Sequence, residues 1–575
     1  MKKKQTILVV ASLLVVVLSV TLAYFTAQII GEGKNISVSS ADLKIVFTDT
    51  DGNIAGNGIT PGWSSSKTFT VKNESNGTYK YDIIIKDLVN TFKTYKYLQY
   101  KITSTDGGYN MTGYSYLPKA STKEDVALAY EISIDKGKTH TYTVEIKYVN
   151  DEAVDQSIDM GQSLSGTIYI REFTKPTMKL TDKLMADNPT IGTRTTFTAF
   201  TETNTGTLYK ATEQIGTNPV KDVYYFAGDA KNNWVKFGKT IESSCTYKGK
   251  EVIYANMTNQ TTKTPENETE CISTNICTVG EVGVYFVGLT ESECSGMDGA
   301  KWIIEKATWS ESTKDIYWRI IRTNADGSIK LLYAGTSPDT EKAYIGKSAF
   351  NTTNNDPMYV GYKYGTTGSL ENNRLNTNNS TIKTYVDNWY KNNLTAYTKY
   401  LSNDAVYCND RNLASGETYS TTNGFDYAPY ERIYTNKQPT YNCTNISDAF
   451  SVNNTSAKLD YPVGLMSIDE LSYAGGQGWT TLDAPYAWYY NNANGESSYG
   501  SAVFWALSPR SWDGSLLIIL GVDGSKSPGF LTSISVYGSV AVRPSVSLLS
   551  CNLISRGNGS PENPYVVYTG SGVCE

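Results

Sequence analysis

The chain has 575 residues, a formal net charge of −6 at pH 7 and 40% hydrophobic residues. A chain of this length exceeds what one hydrophobic core usually organises, so two or more domains are expected. The lack of a basic excess argues against a nucleic-acid partner, which would require a cationic face. The 44 tyrosines and 47 glycines, with abundant Asn, Thr and Ser, are typical of extracellular β-rich chains. We therefore predict a mainly β protein with some α.

The N-terminus predicts export from the cell. Lys2, Lys3 and Lys4 precede an apolar run over residues 7–22, which is followed by Ala23. This is the pattern of a Sec-type signal, although the run is also close to the ~20 residues that a membrane-spanning helix needs. We expect residues 1–27 to be either a signal peptide cut after Ala23 or a retained membrane anchor. The rest of the chain is expected outside the cell or at its surface, with no other membrane contact.

Cysteine usage agrees with export, because the even number of cysteines lies entirely after residue 240 and favours disulfides. Chain order suggests the pairs Cys408 with Cys443 and Cys551 with Cys574, and leaves the connectivity of the other four open. A zinc site is the rival, but the sequence has no CxxC pair, so no metal site is expected. The disulfide candidates are Cys245, Cys271, Cys277, Cys294, Cys408, Cys443, Cys551 and Cys574.

Residues 28–173 show the pattern of short strands joined by tight turns. Tyr142, Val144, Ile146 and Tyr148 alternate with polar residues at period two, which predicts a strand with one buried face. Similar alternation recurs along this segment, with turn residues between the runs. The pattern favours an antiparallel β-sandwich.

Four segments in this part carry a resemblance to a known family. They read AYFTA at 23–27, NISVSSADLKI at 35–45, ITPGWSSSKTFTVKN at 59–73 and DQSIDMGQSLSGTIYI at 155–170. In order and spacing they resemble the TasA/camelysin family of exported Gram-positive proteins. The resemblance implies a jelly-roll-like sandwich, a surface or matrix location and self-association through residues 24–173.

Residues 174–221 are rich in Thr and Asn and contain Pro176, Pro189 and Pro219. We expect a linker with one short helix at about 180–185. The following domain, residues 222–575, begins with hairpin signals, the sharpest at Ala325-Asp326-Gly327. An insertion over about 240–310 holds four of the cysteines. Two helices are predicted, one capped by Ser380 or Thr381 and one by Ser467.

The end of the chain carries a second resemblance. The segments FWALSPRSWDG at 504–514, AVRPSVSL at 541–548 and GNGSPENPYVV at 557–567 follow the two predicted helices. Together they resemble the C-type lectin-like fold of uncharacterised bacterial surface domains that are distantly similar to formylglycine-generating enzymes. The resemblance implies an α+β domain whose Trp-rich segment lies in exposed loops. It does not by itself imply a function.

The sequence offers little catalytic chemistry. His140 is the one histidine of the chain, so neither a zincin motif nor a histidine-based triad can be assembled, and His140 is expected to be an ordinary exposed residue. No cysteine lies between Cys443 and Cys551, so the copper-binding pair of formylglycine-generating enzymes is missing. Asp469 and Glu470 are explained as helix-capping residues. We expect no cofactor and no enzymatic activity.

What remains is an aromatic, polar surface in the Trp-rich region. Rigid rings beside arginine are typical of recognition surfaces, and Arg510 and Trp512 are the residues most expected to be exposed. The sequence therefore predicts a secreted or surface-displayed binding or adhesion protein that recognises extracellular glycans or proteins through its lectin-like domain. The alternative is a structural subunit of an extracellular matrix fibre assembled through the TasA-like domain. The predicted ligand-binding residues are Trp505, Arg510, Trp512, Asp513 and Tyr537.

Overall fold

The structure is a computed structural model that describes residues 25–31, 36–40, 43–51, 54–111, 113–152, 154–200, 202–204, 206–258, 261–280, 284–338, 343–478, 480, 482, 486–490, 503–523, 529–570 and 572–574. Residues 1–24 of the predicted signal or anchor segment, including the predicted cleavage site after Ala23, therefore lie outside the described residues. Within the described part, no helix is long and apolar enough to cross a membrane. The chain forms two compact units, one made of residues up to Phe237 with Tyr317–Glu575 and the other of Gly238–Ile316.

The N-terminal part of the first unit is built from two sheets. One sheet has the strand order β4-β1-β11-β6-β9 and the other β2-β3-β5-β10-β7-β8. Short 3₁₀ turns precede β7, at Tyr95–Tyr97, and β11, at Gln156–Asp159. The strands are β1 Phe25–Gly31, β2 Ile36–Ser40, β3 Leu43–Asp51, β4 Ile54–Ile59, β5 Ser64–Asn73, β6 Tyr79–Asn90, β7 Leu98–Ser104, β8 Ser115–Tyr116, β9 Ala120–Ile134, β10 Thr139–Tyr148 and β11 Ser163–Glu172.

These sheets are antiparallel as predicted, with one parallel pair that the sequence did not indicate. β1 runs parallel to β11, with Thr26 opposite Ser163 and Gly31 opposite Ile168, whereas the other pairs in these two sheets are antiparallel. Parallel neighbours need a long crossover, and most of this part of the chain lies between β1 and β11. A period-two pattern shows on which face of the sheet each side chain lies, but it does not show whether the neighbouring strand runs parallel or antiparallel.

The two sheets enclose a single apolar core. Ile83, Ile85 and Ile168 from one sheet and Val144 and Ile146 from the other are fully buried in it. The predicted inward face of β10 is confirmed, because Tyr142, Val144, Ile146 and Tyr148 are all buried while the residues between them are partly exposed. Burial of this apolar area is the main stabilising term of the sandwich.

His140 is buried, so the expectation of an exposed residue is wrong. Its side chain is 6% exposed, and its Nδ1 lies 2.9 Å from the Tyr81 hydroxyl. His140 is two residues before Tyr142 on β10 and therefore shares the inward face. Burial lowers the pKa of His140 below its ordinary value, against the opposing effect of Asp106 and Asp135.

Residues 174–221 are not a free spacer. The predicted helix is present as α1, Leu180–Asp187, and Leu180 and Leu184 are buried. β12 Thr190–Thr193 pairs with β14 Thr207–Glu213, which pairs with β15 Lys221–Tyr225. The segment therefore contributes to the sheet of the following region. Thr-rich sequence suits an exposed linker and an edge strand equally well, and tertiary pairing decides between them.

That sheet continues through both sides of the predicted hairpin. Within the first unit its order is β12-β14-β15-β23-β24-β36-β31, with the β23–β24 turn at Ala325-Asp326-Gly327 as predicted. The start of β17 pairs with β38, which pairs with β37. The further strands of this sheet are β17 Trp234–Tyr247, β23 Thr308–Thr323, β24 Ile329–Tyr333, β31 Val463–Gly464, β36 Ser545–Leu548, β37 Ile554–Arg556 and β38 Tyr565–Val567. A separate two-stranded parallel sheet is formed by β13 Thr203–Asn204 and β16 Asp229–Ala230.

A second sheet of this region has the order β25-β35-β32-β33-β34, with β29 added beside β32. β33 contains all but the first residue of the apolar run 516–520 and lies in the interior of this sheet, between β32 and β34. Its strands are β25 Lys347–Ser348, β29 Phe425–Asp426, β32 Phe504–Trp512, β33 Leu517–Val522, β34 Leu531–Ser535 and β35 Val540–Ala541.

Both predicted helix caps are confirmed. The Ser380 hydroxyl accepts from the Lys383 amide at the start of Thr381–Asn393, and Ser467 forms a capping box with Glu470 at the start of Ile468–Tyr473. Besides these two helices, the long connections of this region contain short helices, 3₁₀ turns and two-residue strands. These are helices Leu370–Asn373 and Ala428–Tyr430, the π-helical Glu431–Asn436, 3₁₀ turns Pro357–Val360, Thr395–Tyr400, Ile446–Asp448 and Thr455–Ala457, and strands Lys363–Tyr364, Asn378–Asn379, Tyr407–Cys408 and Ala449–Phe450.

The second unit, Gly238–Ile316, contains two small cores that are each built around a disulfide. Cys245–Cys271 lies in one core with Val252, and Cys277–Cys294 lies in the other with Leu289. A unit of this size has too little apolar area to be stable without such cross-links. Its elements are strands Lys250–Asn256, Thr261–Lys263, Ile276–Val279, Val284–Val287 and Ala300–Ile303 and helices Glu268–Ile272 and Glu291–Ser295.

Candidate functional site

The Trp-rich strand is buried, which corrects the expectation of exposed loops. Trp505 and Trp512 are almost inaccessible, with Trp512 only 2% exposed, and the Trp505 indole N–H donates to the Ser348 carbonyl at 2.8 Å. Every residue of Phe504–Trp512 is buried except Arg510. The strand is hydrogen-bonded on both edges, and successive residues on both of its faces are buried, so its aromatic residues form core and not surface.

The other predicted binding residues are only partly available. Arg510 is half-buried, with its guanidinium 4.6 Å from the centre of the Tyr430 ring. Asp513 is exposed, but its Oδ1 accepts from the amides of Ser515 and Leu516, and those hydrogen bonds lower its pKa. Tyr537 is 54% exposed. Asp513 thus has a turn-forming role, and Tyr537 is the member of the set whose ring is open to solvent.

A groove that the sequence did not predict lies elsewhere in the same unit. Its cavity volume is about 510 Å³, and its walls come from residues 213–221, 324–326, 404–406 and 446–454. The first wall is the β14–β15 connection and the second is the β23–β24 turn. The volume falls in the range of natural ligand pockets, which makes the groove the candidate binding site.

The lining of the groove is polar and aliphatic. It contains the amides of Asn218, Asn324, Asn453 and Asn454, the carboxylates of Glu213, Asp326 and Asp404, and the ammonium of Lys221. Its apolar side chains are aliphatic, namely Ile215, Pro219, Ala325, Ala405, Val406, Ile446 and Ala449. The carbonyl oxygen of the Asn324 side chain is buried and has no hydrogen-bond partner in the part of the chain that the structure describes. A buried acceptor without a donor destabilises the folded state by about 1–3 kcal/mol, and a ligand that supplied the donor would remove this cost.

Glu213 connects the groove to a buried charged cluster. One of its oxygens accepts from Arg322 Nη2 at 2.8 Å and the other from the Ala325 amide at 2.5 Å. Glu470 in turn accepts from Arg322 Nε at 2.9 Å and from Lys330 Nζ at 2.7 Å. All four side chains are buried, so the two anions and two cations neutralise each other.

The cluster shifts the ionisation of its members. Burial lowers the pKa of Lys330, and Glu470 only partly offsets it. Burial also opposes ionisation of Glu470, but Lys330 and Arg322 outweigh burial and hold the pKa of Glu470 below its ordinary value. A small cavity adjoins the cluster and is also lined by Arg432, which forms ion pairs with Asp410 and Asp469. The carboxylates of Asp410 and Asp469 are thus paired with a cation of the chain, and we assign them a structural role.

A second buried network supports the opposite wall. Arg411 donates to Asp448 at 2.7 Å and to the carbonyls of Lys363, Asn373 and Ser447 at 2.9–3.1 Å. Asp448 also accepts from the guanidinium of Arg374. Asp448 lies between the groove residues Ile446 and Ala449 in the chain. The network therefore fixes a wall that has almost no regular secondary structure.

A disulfide ties three of the walls together. Cys408 and Cys443 are bonded as predicted, and Cys551 and Cys574 likewise. The Cys443 carbonyl accepts from the Gly216 amide at 2.9 Å, and the Cys443 amide donates to the Gln214 carbonyl at 2.8 Å. Cys408 pairs with Ala449 in a short antiparallel ladder. The groove is therefore held in shape before any ligand arrives, which lowers the entropic cost of binding.

Two carboxylates form the solvent-exposed acidic part of the groove. Ser402 Oγ donates to Asp326 Oδ2 at 2.5 Å and accepts from the Asp404 amide at 3.1 Å, so it links the two residues. The Asp404 carboxylate also accepts from the side-chain amide of Asn453 at 2.8 Å. Neither Asp326 nor Asp404 forms an ion pair within the described residues, and both are exposed.

Two local structures that contribute residues to the site were predicted from the sequence. The turn that contains Asp326 and the cap that contains Glu470 were both predicted, but as local structure. Nothing in the sequence linked them to Glu213, 113 residues upstream of Asp326, or to the segment after Cys443. Within the described residues, no group of three or more His, Cys, Asp or Glu side chains is placed to hold a metal ion.

Two of three comparisons with known proteins find no match. No family model matches the chain, and no curated protein matches it significantly. Among solved structures there is a similarity to the crystal structure of the CupB6 tip adhesin from Pseudomonas aeruginosa, at 9% sequence identity and a TM-score of 0.12. That match covers 51% of this chain and 93% of the adhesin chain. A TM-score at this level supports no conclusion about fold or function.

Proposed function

We propose that this protein is an extracellular binding protein, secreted or displayed at the cell surface, whose ligand occupies the groove between residues 213–221 and 446–454. The observation that carries the proposal is the preformed cavity of about 510 Å³, whose walls are held by buried ion pairs and by the Cys408–Cys443 disulfide. Four disulfides are typical of chains that fold in an oxidising compartment outside the cytosol.

The rival hypothesis, a matrix-fibre subunit, depends on a strand that inserts into a neighbouring chain. The strand after Ala23, β1, already pairs on one edge with β4 and on the other with β11 of its own chain. We therefore favour the binding hypothesis. Our proposal includes no catalytic step, because His140 is in the sandwich core and Glu213, the buried acid of the groove, is paired with Arg322.

The proposal can be tested with one variant of the groove and one matched control. The full oxidised chain, labelled, is tested against a panel of polysaccharides, mucins, proteins and intact cells. Ile446→Arg places a long cation in the groove, where Ile446 is 44% exposed. Ile304→Arg adds the same charge at a residue of the second unit that is 84% exposed.

We expect at least one component of the panel to bind the parent and Ile304→Arg equally and Ile446→Arg at least about tenfold more weakly, because a side chain that fills the cavity displaces the ligand. Both variants are exposed substitutions, so their unfolding curves should match that of the parent. Equal binding by all three proteins would exclude the groove as the site. Loss of binding with Tyr537→Ala instead would return the site to the Trp-rich region.

A further inference from the structure

The lining of the groove indicates which chemical class of ligand it takes. We infer that the ligand is an extended peptide segment carrying lysine or arginine next to aliphatic residues, part of a partner protein, and not a glycan. This inference rests on the proposed function, since it names the ligand of the same groove.

The first observation is the aliphatic character of the apolar lining. Aromatic residues make up 12% of the chain, yet the apolar side chains at the groove are Ile, Val, Ala and Pro. Sugar rings are commonly bound by packing their C–H faces against flat aromatic rings, and the groove offers none among the residues that line it. Ile215, Val406 and Ile446 instead suit branched aliphatic side chains, whose burial contributes by the hydrophobic effect.

The second observation is the unpaired acidic site. Asp326 and Asp404 are linked through Ser402 and are exposed, and neither has a cationic partner among the described residues. Glu213 is neutralised by Arg322 and therefore adds little to the field in the groove. The Asp326 and Asp404 carboxylates accept only neutral hydrogen bonds in the described part of the chain, so they keep their negative charge uncompensated and attract an ammonium or a guanidinium, and the latter binds carboxylates in a bidentate way.

The third observation is the set of asparagines. An asparagine amide has a donor and an acceptor at the spacing of the peptide N–H and C=O, so it can bind the main chain of an extended segment. Asn453 and Asn218 are exposed at the groove, and Asn324 contributes a buried carbonyl without a donor. A backbone N–H or a lysine ammonium of the ligand would supply that donor. A peptide-binding groove typically binds the main chain of its ligand and selects particular side chains in separate sites, here a cationic one.

The test compares two charge-matched double variants of the full oxidised chain. Asp326→Asn with Asp404→Asn removes the acidic part of the groove, and Glu152→Gln with Glu417→Gln removes two exposed acids that do not line it. Each double variant changes the formal net charge from −6 by two units, to −4. The probes are a library of labelled nonapeptides with a central Lys-Arg flanked by Ile and Val, the same library with Glu-Glu at the centre, and an array of neutral and acidic glycans.

We expect binding from the Lys-Arg library and not from the Glu-Glu library. The Asp326→Asn, Asp404→Asn chain should bind about 5- to 30-fold more weakly, the effect of losing two exposed ion pairs, while the control pair binds like the parent. The difference should shrink in high salt, which screens exposed charges. Thermal unfolding and binding of a non-charged panel component confirm that the variants are folded.

Other outcomes separate this inference from the proposed function. Binding confined to glycans, and lost in Ile446→Arg, would overturn the peptide assignment and leave the groove as the site. Peptide binding that is equal in both double variants would overturn the role of Asp326 and Asp404. Absence of any groove-dependent binding, to peptides, glycans or cells, would overturn both.

Discussion

The sandwich of residues 25–172 and the region that follows it in the same unit are stabilised in different ways. The sandwich has long strands around a nearly continuous apolar core, and its sequence contains no cysteine. The later region has short strands and long irregular segments, and its interior contains paired charges, buried asparagines and two disulfides. Long strands satisfy their own backbone groups through sheet pairing. Irregular backbone must find other partners, and buried side chains supply them.

The difference matters for function because binding sites are usually built on irregular segments. The groove walls are a strand connection, a hairpin turn and two loops, and each is held by a charged side chain or a disulfide. A sheet surface is rigid but flat, whereas loops can enclose a cavity if something else fixes them. In this protein the buried ion pairs and the disulfide have that fixing role.

The largest expected effect comes from removing the cation of the second network. Arg411→Met leaves three backbone carbonyls and part of Asp448 without their donor in a buried site. We expect a loss of about 3–5 kcal/mol in the free energy of unfolding of this region, as for other broken buried pairs. Denaturant unfolding followed by hydrogen exchange and mass spectrometry would show which peptides lose protection.

The matched control is Lys210→Met, which removes the cation of the exposed pair with Asp222 and should leave the unfolding midpoint unchanged within error. A loss confined to peptides at 357–463 would support the role assigned to the buried network. Equal losses in the sandwich and in this region would show that the two are stabilised as one cooperative unit, and the contrast between them would not hold for stability.

A smaller effect is expected from the disulfide that ties the groove walls. Replacing both Cys408 and Cys443 by serine removes a cross-link that spans 35 residues, and we expect a loss of roughly 2–4 kcal/mol. The loss should be accompanied by weaker binding, because the walls would no longer be preorganised. Reductant, which opens all four disulfides, should weaken binding of the parent chain at least as much, should also affect peptides of Gly238–Ile316, and should leave exchange in the sandwich unchanged. The control pair, Cys277→Ser with Cys294→Ser, should affect peptides of Gly238–Ile316 and leave binding intact.

The smallest expected effect concerns His140 in the sandwich. Its pKa is lowered in the folded chain, so between the lowered value and the ordinary value near 6.5 the unfolded chain binds a proton that the folded chain does not. The contribution of His140 to the free energy of unfolding is thus complete above about pH 6.5 and decreases as the pH falls below that value. The parent should lose more sandwich stability than His140→Gln between pH 7.5 and 5.5, measured by denaturant midpoints. Identical losses in the two proteins would show that His140 does not contribute to acid sensitivity.

Local structure could be predicted from the sequence wherever the pattern is short-range. The alternation on β10, the hairpin at Asp326-Gly327, the helix caps at Ser380 and Ser467 and two of the disulfide pairs follow from neighbouring residues or from chain order. The same alternation, extended two residues toward the N-terminus, also places His140 on the buried face.

The site depends on tertiary contacts. Trp512 is a core residue because both faces of the interior strand β32 are covered, and Thr-rich residues 207–213 are a strand because a sheet edge is available to them. Glu213, Asp326, Asp404 and Ile446 meet in one groove through contacts between segments far apart in the chain. Burial, ion pairing and cavity shape depend on which distant segments come together, and a pattern in one stretch of sequence does not contain that information.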